Sequence, residues 1–181
     1  MKKLMFSPGG AYAYLDLDEK IFAGQCSVEP YMASGPGGQK RNRTYSAVRI
    51  THRATGISAI AEESRSQAEN RKRALKRLKK NLALCVRTET VCGSFTIHHV
   101  VETFFAPGNQ GKMNIKNSLF PVYCAALLDA LAAAQGKVSD AAKKLHMSTG
   151  KMNRLLARDK DLFAAANNVR TYFHHKPLKI K

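Results

Sequence analysis

Acidic side chains are scarce in this sequence, and their scarcity limits what the protein can be. Only 13 Asp and Glu residues accompany 30 Lys and Arg residues, which gives a net charge of +17 at pH 7. A chain with this imbalance attracts polyanions, and nucleic acid is the simplest polyanionic partner. The charge therefore predicts a nucleic-acid-binding protein and is atypical of an ordinary soluble enzyme.

Long apolar runs are missing as well. No stretch approaches the roughly 18 apolar residues of a spanning helix, so we expect no membrane partner. The apolar start ends at residues 7–10 (Ser-Pro-Gly-Gly), which is too early for a secretion signal. With 44% hydrophobic residues among 181, the chain can bury a core. We therefore expect a folded, cytoplasmic protein that works as a monomer.

Cysteine pairs with metal-binding spacing are absent too. The four cysteines lie far apart, without a Cys-x-x-Cys motif, and are read as reduced thiols; they are Cys26, Cys85, Cys92 and Cys124. Cys92 precedes His98 and His99, but the spacing of a four-ligand zinc site is missing. The sequence therefore predicts neither a metal nor a cofactor.

Glycine is concentrated in one short segment. Residues 34–39 read Ser-Gly-Pro-Gly-Gly-Gln, a composition typical of a loop, and Lys40, Arg41 and Arg43 follow directly. No Gly-Lys-Ser or Gly-Lys-Thr follows the glycines, which excludes a phosphate-binding P-loop. Taken alone, such a loop more often reverses the chain than carries a function. Its interpretation depends on the segments around it.

The segments around the glycine loop predict a small sheet and one helix. Apolar and polar residues alternate over residues 25–31, 45–52 and 57–61, as in strands, and a turn at residues 53–56 joins the last two into a hairpin. Ser66 and Glu69 have the spacing of a capping box at the start of a helix.

This helix has an apolar stripe and is otherwise strongly basic. Leu75, Leu78 and Leu82 form the stripe. The cations on and just before the helix are Arg65, Arg71, Lys72, Arg73, Lys76, Arg77, Lys79 and Lys80. Because few carboxylates offset them, we interpret this surface as a contact for a phosphate backbone rather than as a merely solvated face.

These elements together resemble the catalytic domain of bacterial class I peptide-chain release factors. The resemblance extends over about residues 20–85, and its matches are residues 34–39, Asn42, Thr44, residues 46–52, Thr55, Gly56, residues 65–67 and Asn70. It implies an α+β domain, with a small mixed sheet and one long basic helix. A mobile loop of this domain would enter the ribosomal peptidyl-transferase centre.

The resemblance also implies an activity and its residues. Gly37, Gly38 and Gln39 would be catalytic in a peptidyl-tRNA ester hydrolase that acts only in that centre, with no cofactor. The implied partners are 23S rRNA and P-site peptidyl-tRNA. Gln39 is also the implied target of a glutamine methyltransferase. The remaining predicted RNA contacts are Lys40, Arg41, Arg43 and Arg49.

The sequence departs from the family in two ways. Lys40 and Arg41 stand where relatives commonly have His-Val, and Arg43 stands for a usual Lys, so positive charge is kept or increased. Only 33 residues precede Ser34, so we expect no stop-codon-reading domain. In this respect the chain resembles codon-independent ribosome-rescue factors. The catalytic half of a split termination factor is an alternative.

The second half of the chain predicts a helical module. We expect strands at 94–97 and 100–104, a linker at 107–117, and a helix that is capped by Ser118 and stops at Gly136. Residues 139–156 are typical of a helix-turn-helix, and a further helix starts at Asp161. The predicted domains are residues 1–106 and 118–181, the second an all-α module with a short basic tail.

The helix-turn-helix allows two interpretations. Lys151, Asn153 and Arg154 are predicted nucleic-acid contacts on its second helix. We favour docking on ribosomal RNA or protein, since phosphate contacts need no base code. The alternative is a non-catalytic regulator that reads DNA through this module.

Overall fold

The computed structural model describes residues 4–32, 45–89, 95–106, 108–109 and 111–179. They form five strands and eight helices. The strands are β1 (Met5–Ser7), β2 (Cys26–Tyr31), β3 (Ala47–His52), β4 (Ser58–Ala61) and β5 (Val86–Thr88). The helices are α1 (Tyr12–Leu15), α2 (Glu19–Gly24), α3 (Gln67–Cys85), α4 (His99–Phe105), α5 (Phe120–Ala133), α6 (Val138–Lys144), α7 (Thr149–Leu156) and α8 (Lys160–Tyr172).

The chain divides into two compact units. One is Asp16–Leu82, and the other combines Met1–Leu15 with Ala83–Lys181. The first carries a sheet and most of α3, and the second carries a short sheet and five larger helices. This mixed architecture confirms the predicted fold class. The predicted domain boundaries, with a linker at 107–117, stay a prediction.

The unit Asp16–Leu82 is built on a three-stranded antiparallel sheet in the order β2-β3-β4. Alternation along β3 buries Val48 and Ile50 completely and leaves Arg49 exposed on the other face. Gly56 has a φ of +67° in the turn between β3 and β4, a conformation that glycine adopts at little cost. The predicted strands and hairpin are thus confirmed.

Helix α3 buries one stripe and exposes the rest. Asn70, Ala74, Leu78 and Leu82 are fully buried at intervals of four residues, and Leu75 is nearly so. At its start, the Ser66 hydroxyl accepts a hydrogen bond from the Glu69 N–H at 3.4 Å. The Glu69 carboxylate accepts from the Ser64 hydroxyl instead of the Ser66 N–H. Of the two reciprocal bonds of the predicted capping box, the structure therefore contains the one from the Glu69 N–H to the Ser66 hydroxyl.

The second unit contains a short parallel pairing that sequence reasoning missed. Strand β1 pairs with β5, with Met5 opposite Val86 and Ser7 opposite Thr88. Each strand is only three residues long, so periodicity offers too few positions to reveal it. Beside it, fully buried Arg87 forms an ion pair with Asp129 of α5 at 2.7 Å. This pair ties β5 to α5.

Helix α5 is the centre of the second unit. Nearly every side chain from Phe120 to Ala132 is buried, because α1, α4, α6 and α8 all pack against it. A helix that is apolar on all sides is stable in water only when it is covered in this way. None of the helices within the described ranges is long and apolar enough to cross a bilayer.

The helices at the end of the chain agree with the prediction, with one correction. Gly136 follows α5 with a φ of +80°, and Asp159 caps α8 through a bond from the Leu162 N–H at 2.9 Å. The prediction that Ser118 caps α5 was wrong. Instead, the Asn117 side chain, three residues before the helix, accepts from the Leu119 N–H at 2.9 Å, because a preceding turn already holds that segment.

The prediction of a strand at 100–104 was also wrong, since this segment is helix α4. Its valine and phenylalanine content favours a strand in isolation. In the folded chain, Val101 and Phe105 are buried four residues apart on one helix face. The Phe105 ring stacks on Tyr123 of α5 with centroids 5.3 Å apart. Packing on α5 therefore overrides local propensity. Residues 95–97, which belong to the other expected strand, are also not in a strand.

Candidate functional site

The glycine loop connects two paired strands. Residues 32–46 join β2 to β3, and the pairing brings Tyr31 opposite Ala47 at the two ends of this connection. The predicted catalytic and loop-contact residues lie outside the described residues; they are Gly37, Gly38, Gln39, Lys40, Arg41 and Arg43. The elements that hold the two ends of the loop therefore define the site.

The segment that follows the loop is held by the first turn of α3. The Gln67 side-chain amide donates to the Tyr45 carbonyl at 3.0 Å. The Asn70 amide donates to the Ser46 carbonyl at 2.7 Å, and its side chain also bonds both backbone groups of Ser64. These contacts fix the chain where it leaves the loop.

Asn70 performs this role because an amide both donates and accepts. It is completely buried, yet its donor and acceptor atoms have partners. A buried polar group without partners is costly, so the bonds make this placement possible. Sequence reasoning placed Asn70 in the resemblance but gave it no role. The sequence did offer a signal for this role, because Asn70 is an uncharged polar residue that continues the apolar stripe of a basic helix.

Arg49 lies at the end of the sheet nearest the loop. Its guanidinium lies over the Tyr31 ring, 5.7 Å from the centroid, and the Tyr31 hydroxyl donates to the Glu62 carboxylate at 3.3 Å. Burial and the nearby Glu62 raise the pKa of Tyr31, which keeps the hydroxyl a donor. The three side chains place a cation and an aromatic ring on one exposed sheet face.

His52 links the far end of the same strands to the hairpin turn. Its ring nitrogens lie 3.0 Å from the Thr55 hydroxyl and 3.2 Å from the Gln25 side-chain oxygen. The ring stacks on Phe22 and is fully buried. Burial lowers the pKa of His52, so the ring is neutral near pH 7. We interpret it as a structural residue of the sheet.

Seven of the eight predicted cations on and just before α3 divide into two groups, and the eighth, Lys80, is half-buried. Three make contacts within the protein: Arg73 pairs with Glu69 at 3.5 Å, Arg77 with Glu63 at 2.6 Å, and Lys79 lies 5.1 Å from the centre of the Phe22 ring. Within the described part of the chain, no carboxylate pairs with the exposed cations Arg65, Arg71, Lys72 and Lys76.

Arg77 has a structural task in addition to its charge. Its guanidinium donates to the Ile60 carbonyl of β4 at 2.7 Å, and its hydrogen bond lowers the pKa of Glu63. The exposed cations without an internal partner are better placed to contact a phosphate, since no internal contact must be broken.

The predicted contacts of the helical module lie on α7. Lys151 is half-buried and donates to the Asn109 carbonyl, while Asn153 and Arg154 are exposed. Lys151 and Arg154 line one groove with Lys112 and Arg158, which sequence reasoning missed. Asn153 does not line it. The missed cations are separated in sequence, and only the fold brings them together.

The described residues hold no group of three or more His, Cys, Asp or Glu side chains that could bind a metal ion. The Cys26, Cys85 and Cys124 thiols are buried. Burial raises the pKa of Cys26, which disfavours its reactive thiolate form. Cys92 lies outside the described residues.

Comparison with known proteins identifies the unit that carries the loop. An RF-1 domain family model matches residues 16–91. Over 79 residues the chain is 44% identical to peptide chain release factor 2 of Paramagnetospirillum magneticum, covering 42% of this chain and 21% of that protein. Over 67 residues it is 48% identical to peptide chain release factor 1 of Ureaplasma parvum, covering 37% and 19%.

A third relative, peptide chain release factor 1 of Streptomyces avermitilis, is 39% identical over 74 residues, which cover 41% of this chain and 21% of that protein. The chain thus spans about a fifth of the length of these relatives. The matched segment contains the glycine loop, the three-stranded sheet and α3. Residues 16–91 therefore match the RF-1 domain family, and over this segment the chain is similar to class I peptide chain release factors.

Proposed function

We propose that the protein is a release factor that hydrolyses the ester between nascent peptide and tRNA on the ribosome. The observation that carries this proposal is the RF-1 match over residues 16–91. This match spans Gly37, Gly38 and Gln39 together with the strands and helix at both ends of their loop. The similarity to release factors thus covers the loop and also the strands and helix that hold its two ends.

The proposed chemistry relies on the backbone of the loop. Attack of water on the ester develops negative charge on the carbonyl oxygen, which the Gln39 backbone N–H stabilises. The Gln39 side chain orders the water, and Gly37 and Gly38 let the backbone approach RNA closely. The loop at 34–39 contains no His or carboxylate to act as a base, so the protein acts by positioning, and ribosome and tRNA complete the site.

Several basic residues position the loop on the ribosome in this proposal. Lys40, Arg41 and Arg43 contact 23S rRNA phosphates at the base of the loop, next to the P-site tRNA. The exposed α3 cations Arg71 and Lys72, with their neighbours, extend the contact. Arg49 contributes from the sheet. The protein works as a monomer in the cytoplasm, where ribosomes are, and a glutamine methyltransferase modifies Gln39.

We further propose that release needs no stop codon, so that the protein frees peptides from stalled ribosomes. The support is the placement of the segment before the RF-1 domain. Residues 4–15 pair through β1 with β5 and pack through α1 on α5, and so form part of the helical unit. The described residues of this segment thus belong to the helical unit.

Peptide release from purified ribosomes tests both parts of the proposal. Ribosomes with labelled peptidyl-tRNA in the P site are prepared on mRNA that ends at that site and on mRNA that extends beyond it. We expect release by the wild type on the truncated mRNA and a loss of about a hundredfold in both variants, because Gly38→Ala displaces the loop backbone and Gln39→Ala removes the side chain that orders the water while keeping the backbone N–H.

The other outcomes separate the alternatives. Release that requires a stop codon and a second protein would indicate a split termination factor. If no release occurs while one DNA sequence is bound with low salt dependence, the hydrolase proposal is wrong and the DNA-reading regulator is favoured.

A further inference from the structure

We propose that a groove between α7 and the loop before α5, which contains Asn109 and Lys112, binds the phosphate backbone of RNA. The groove has a volume of about 570 Å³, and its basic side chains are Lys112, Lys151, Arg154 and Arg158. The choice of RNA rests on the proposed function, since a ribosomal partner is largely RNA. The groove itself is defined by contacts within the unit that contains Ala83–Lys181.

The charge of this groove is not compensated locally. Among the residues that the structure describes, only Asn109 and Leu155 line it besides the four cations, so this part of its wall contains no carboxylate. Within the described ranges, none of the four cations forms an ion pair. Four positive charges that converge on one groove create a potential that favours an anion.

Two of the cations are held in place by neutral acceptors. The Lys151 ammonium donates to the Asn109 carbonyl, and the Arg158 guanidinium donates to the Met113 carbonyl at 3.2 Å. A carbonyl fixes the position of a cation without cancelling its charge. A lysine has three donors and an arginine has five, so donors remain for a ligand.

The loop side of the groove is also held in place. The Tyr123 hydroxyl of α5 donates to the Gly111 carbonyl at 2.6 Å. Gly111 has a φ of +66°, and a Cβ built there would lie 3.3 Å from the Lys151 side chain. Glycine allows this backbone conformation and the close packing on α7 at little cost. A wall that is fixed before binding loses little entropy when the ligand arrives.

The distribution of side chains on α7 favours the backbone over the bases. Lys151 and Arg154 lie three residues apart on one face of α7, and Arg158 follows two residues after the helix ends. The exposed positions on another face are Gly150 and Asn153, with Ala157 directly after the helix. Of these, only Asn153 can read a base edge. A helix that reads DNA presents several base-reading side chains to the major groove. The two cations of α7 line the groove beside the loop, which leaves Thr149 and Asn153 for such contacts.

Binding of an RNA duplex of about 16 base pairs tests the proposal, with a DNA duplex of the same sequence in parallel. The groove variant is Lys112→Gln with Arg154→Gln in the full chain. The control is Lys137→Gln with Lys160→Gln, which removes equal charge from exposed sites outside the groove. We expect the groove variant to weaken RNA binding about tenfold more than the control, and to reduce the salt slope by about 1–2.

The result is independent of the hydrolase proposal because the assay contains no ribosome. Equal losses of RNA affinity in the two variants would contradict the proposal that RNA binds in the groove. A loss on DNA that equals or exceeds the loss on RNA would overturn the assignment to RNA. The single variant Lys112→Gln gives a second measurement, since Lys112 is exposed and its substitution is expected to leave folding intact. We expect it to weaken RNA binding more than Lys137→Gln alone.

Discussion

A single buried amide holds the chain where it leaves the glycine loop. Replacing Asn70 with Ala removes bonds to Ser46 and Ser64 and leaves their half-buried backbone groups without these partners. We expect this change to lower the free energy of unfolding by about 2–4 kcal/mol, since each unsatisfied group costs about 1–3 kcal/mol. Urea unfolding of the full chain measures it.

Gln67→Ala is the matched control for this change. Gln67 is also an amide bonded to the segment after the loop, but it is exposed, so water can replace its bond to Tyr45. We expect a loss below about 1 kcal/mol. Equal losses in the two variants would show that the burial of Asn70 is not the cause.

His52 makes the stability of the sheet dependent on pH. Burial lowers its pKa in the folded state from the usual 6.5, so below that pH the unfolded chain binds a proton that the folded chain excludes. Stability from the neutral ring is complete above about pH 6.5 and is lost as the pH falls toward the folded pKa. One such group changes the free energy of unfolding by at most about 1.4 kcal/mol per pH unit.

Urea unfolding between pH 7.5 and 5.5 measures this dependence. We expect His52→Asn to be less stable at pH 7.5 and to lose less stability on acidification than the wild type. His146→Asn, at an exposed position, is the control and should keep the wild-type slope. An unchanged slope in His52→Asn would mean that other groups cause the pH dependence.

At the scale of elements, α3 combines support of the sheet with an exposed basic surface. Arg77→Gln and Arg71→Gln remove the same charge, but only Arg77 bonds the Ile60 carbonyl of β4. We expect Arg77→Gln to lower the free energy of unfolding by about 1 kcal/mol, because its ion pair is exposed and adds little. Arg71→Gln should change it by less than about 0.5 kcal/mol.

We expect ribosome co-sedimentation to rank the same two variants in the opposite order by their loss of binding. Arg71 has no internal ion pair among the described residues, so its removal should weaken binding more than that of Arg77. A larger binding loss in Arg77→Gln, at equal folded fraction, would contradict the division of α3 into supporting and RNA-facing cations.

For the whole molecule, the net charge of +17 predicts that ribosome binding depends strongly on salt. If about six phosphates are contacted, affinity falls by about a thousandfold between 50 and 200 mM salt. Gln39→Ala changes no charge, so we expect it to keep the affinity and the salt slope while losing peptide release. Co-sedimentation and release assays on the same preparations measure both. A weakened slope in Gln39→Ala would indicate that the loop, rather than charge, dominates binding.

Local patterns were sufficient where neighbours in the chain decide the structure. The alternation around Val48 and Ile50 predicted β3, and the Leu78–Leu82 spacing predicted the buried face of α3. The three-residue pairing of β1 with β5 could not be predicted, because its partners are some 80 residues apart and too short to show a period. Helix α4 was missed because its composition favours a strand until it packs on α5.

The sequence by itself determined the order of charges, turns and motifs: the basic helix, the Gly37-Gly38-Gln39 loop and the helix-turn-helix follow from residue types at short spacing. The tertiary structure alone decided which distant groups meet. It placed Asn70 at the end of the loop, and it brought Lys112 and Arg158 together in one groove. The physical reason is that hydrogen bonds and electrostatic fields depend on distance in space, and chain separation does not specify that distance.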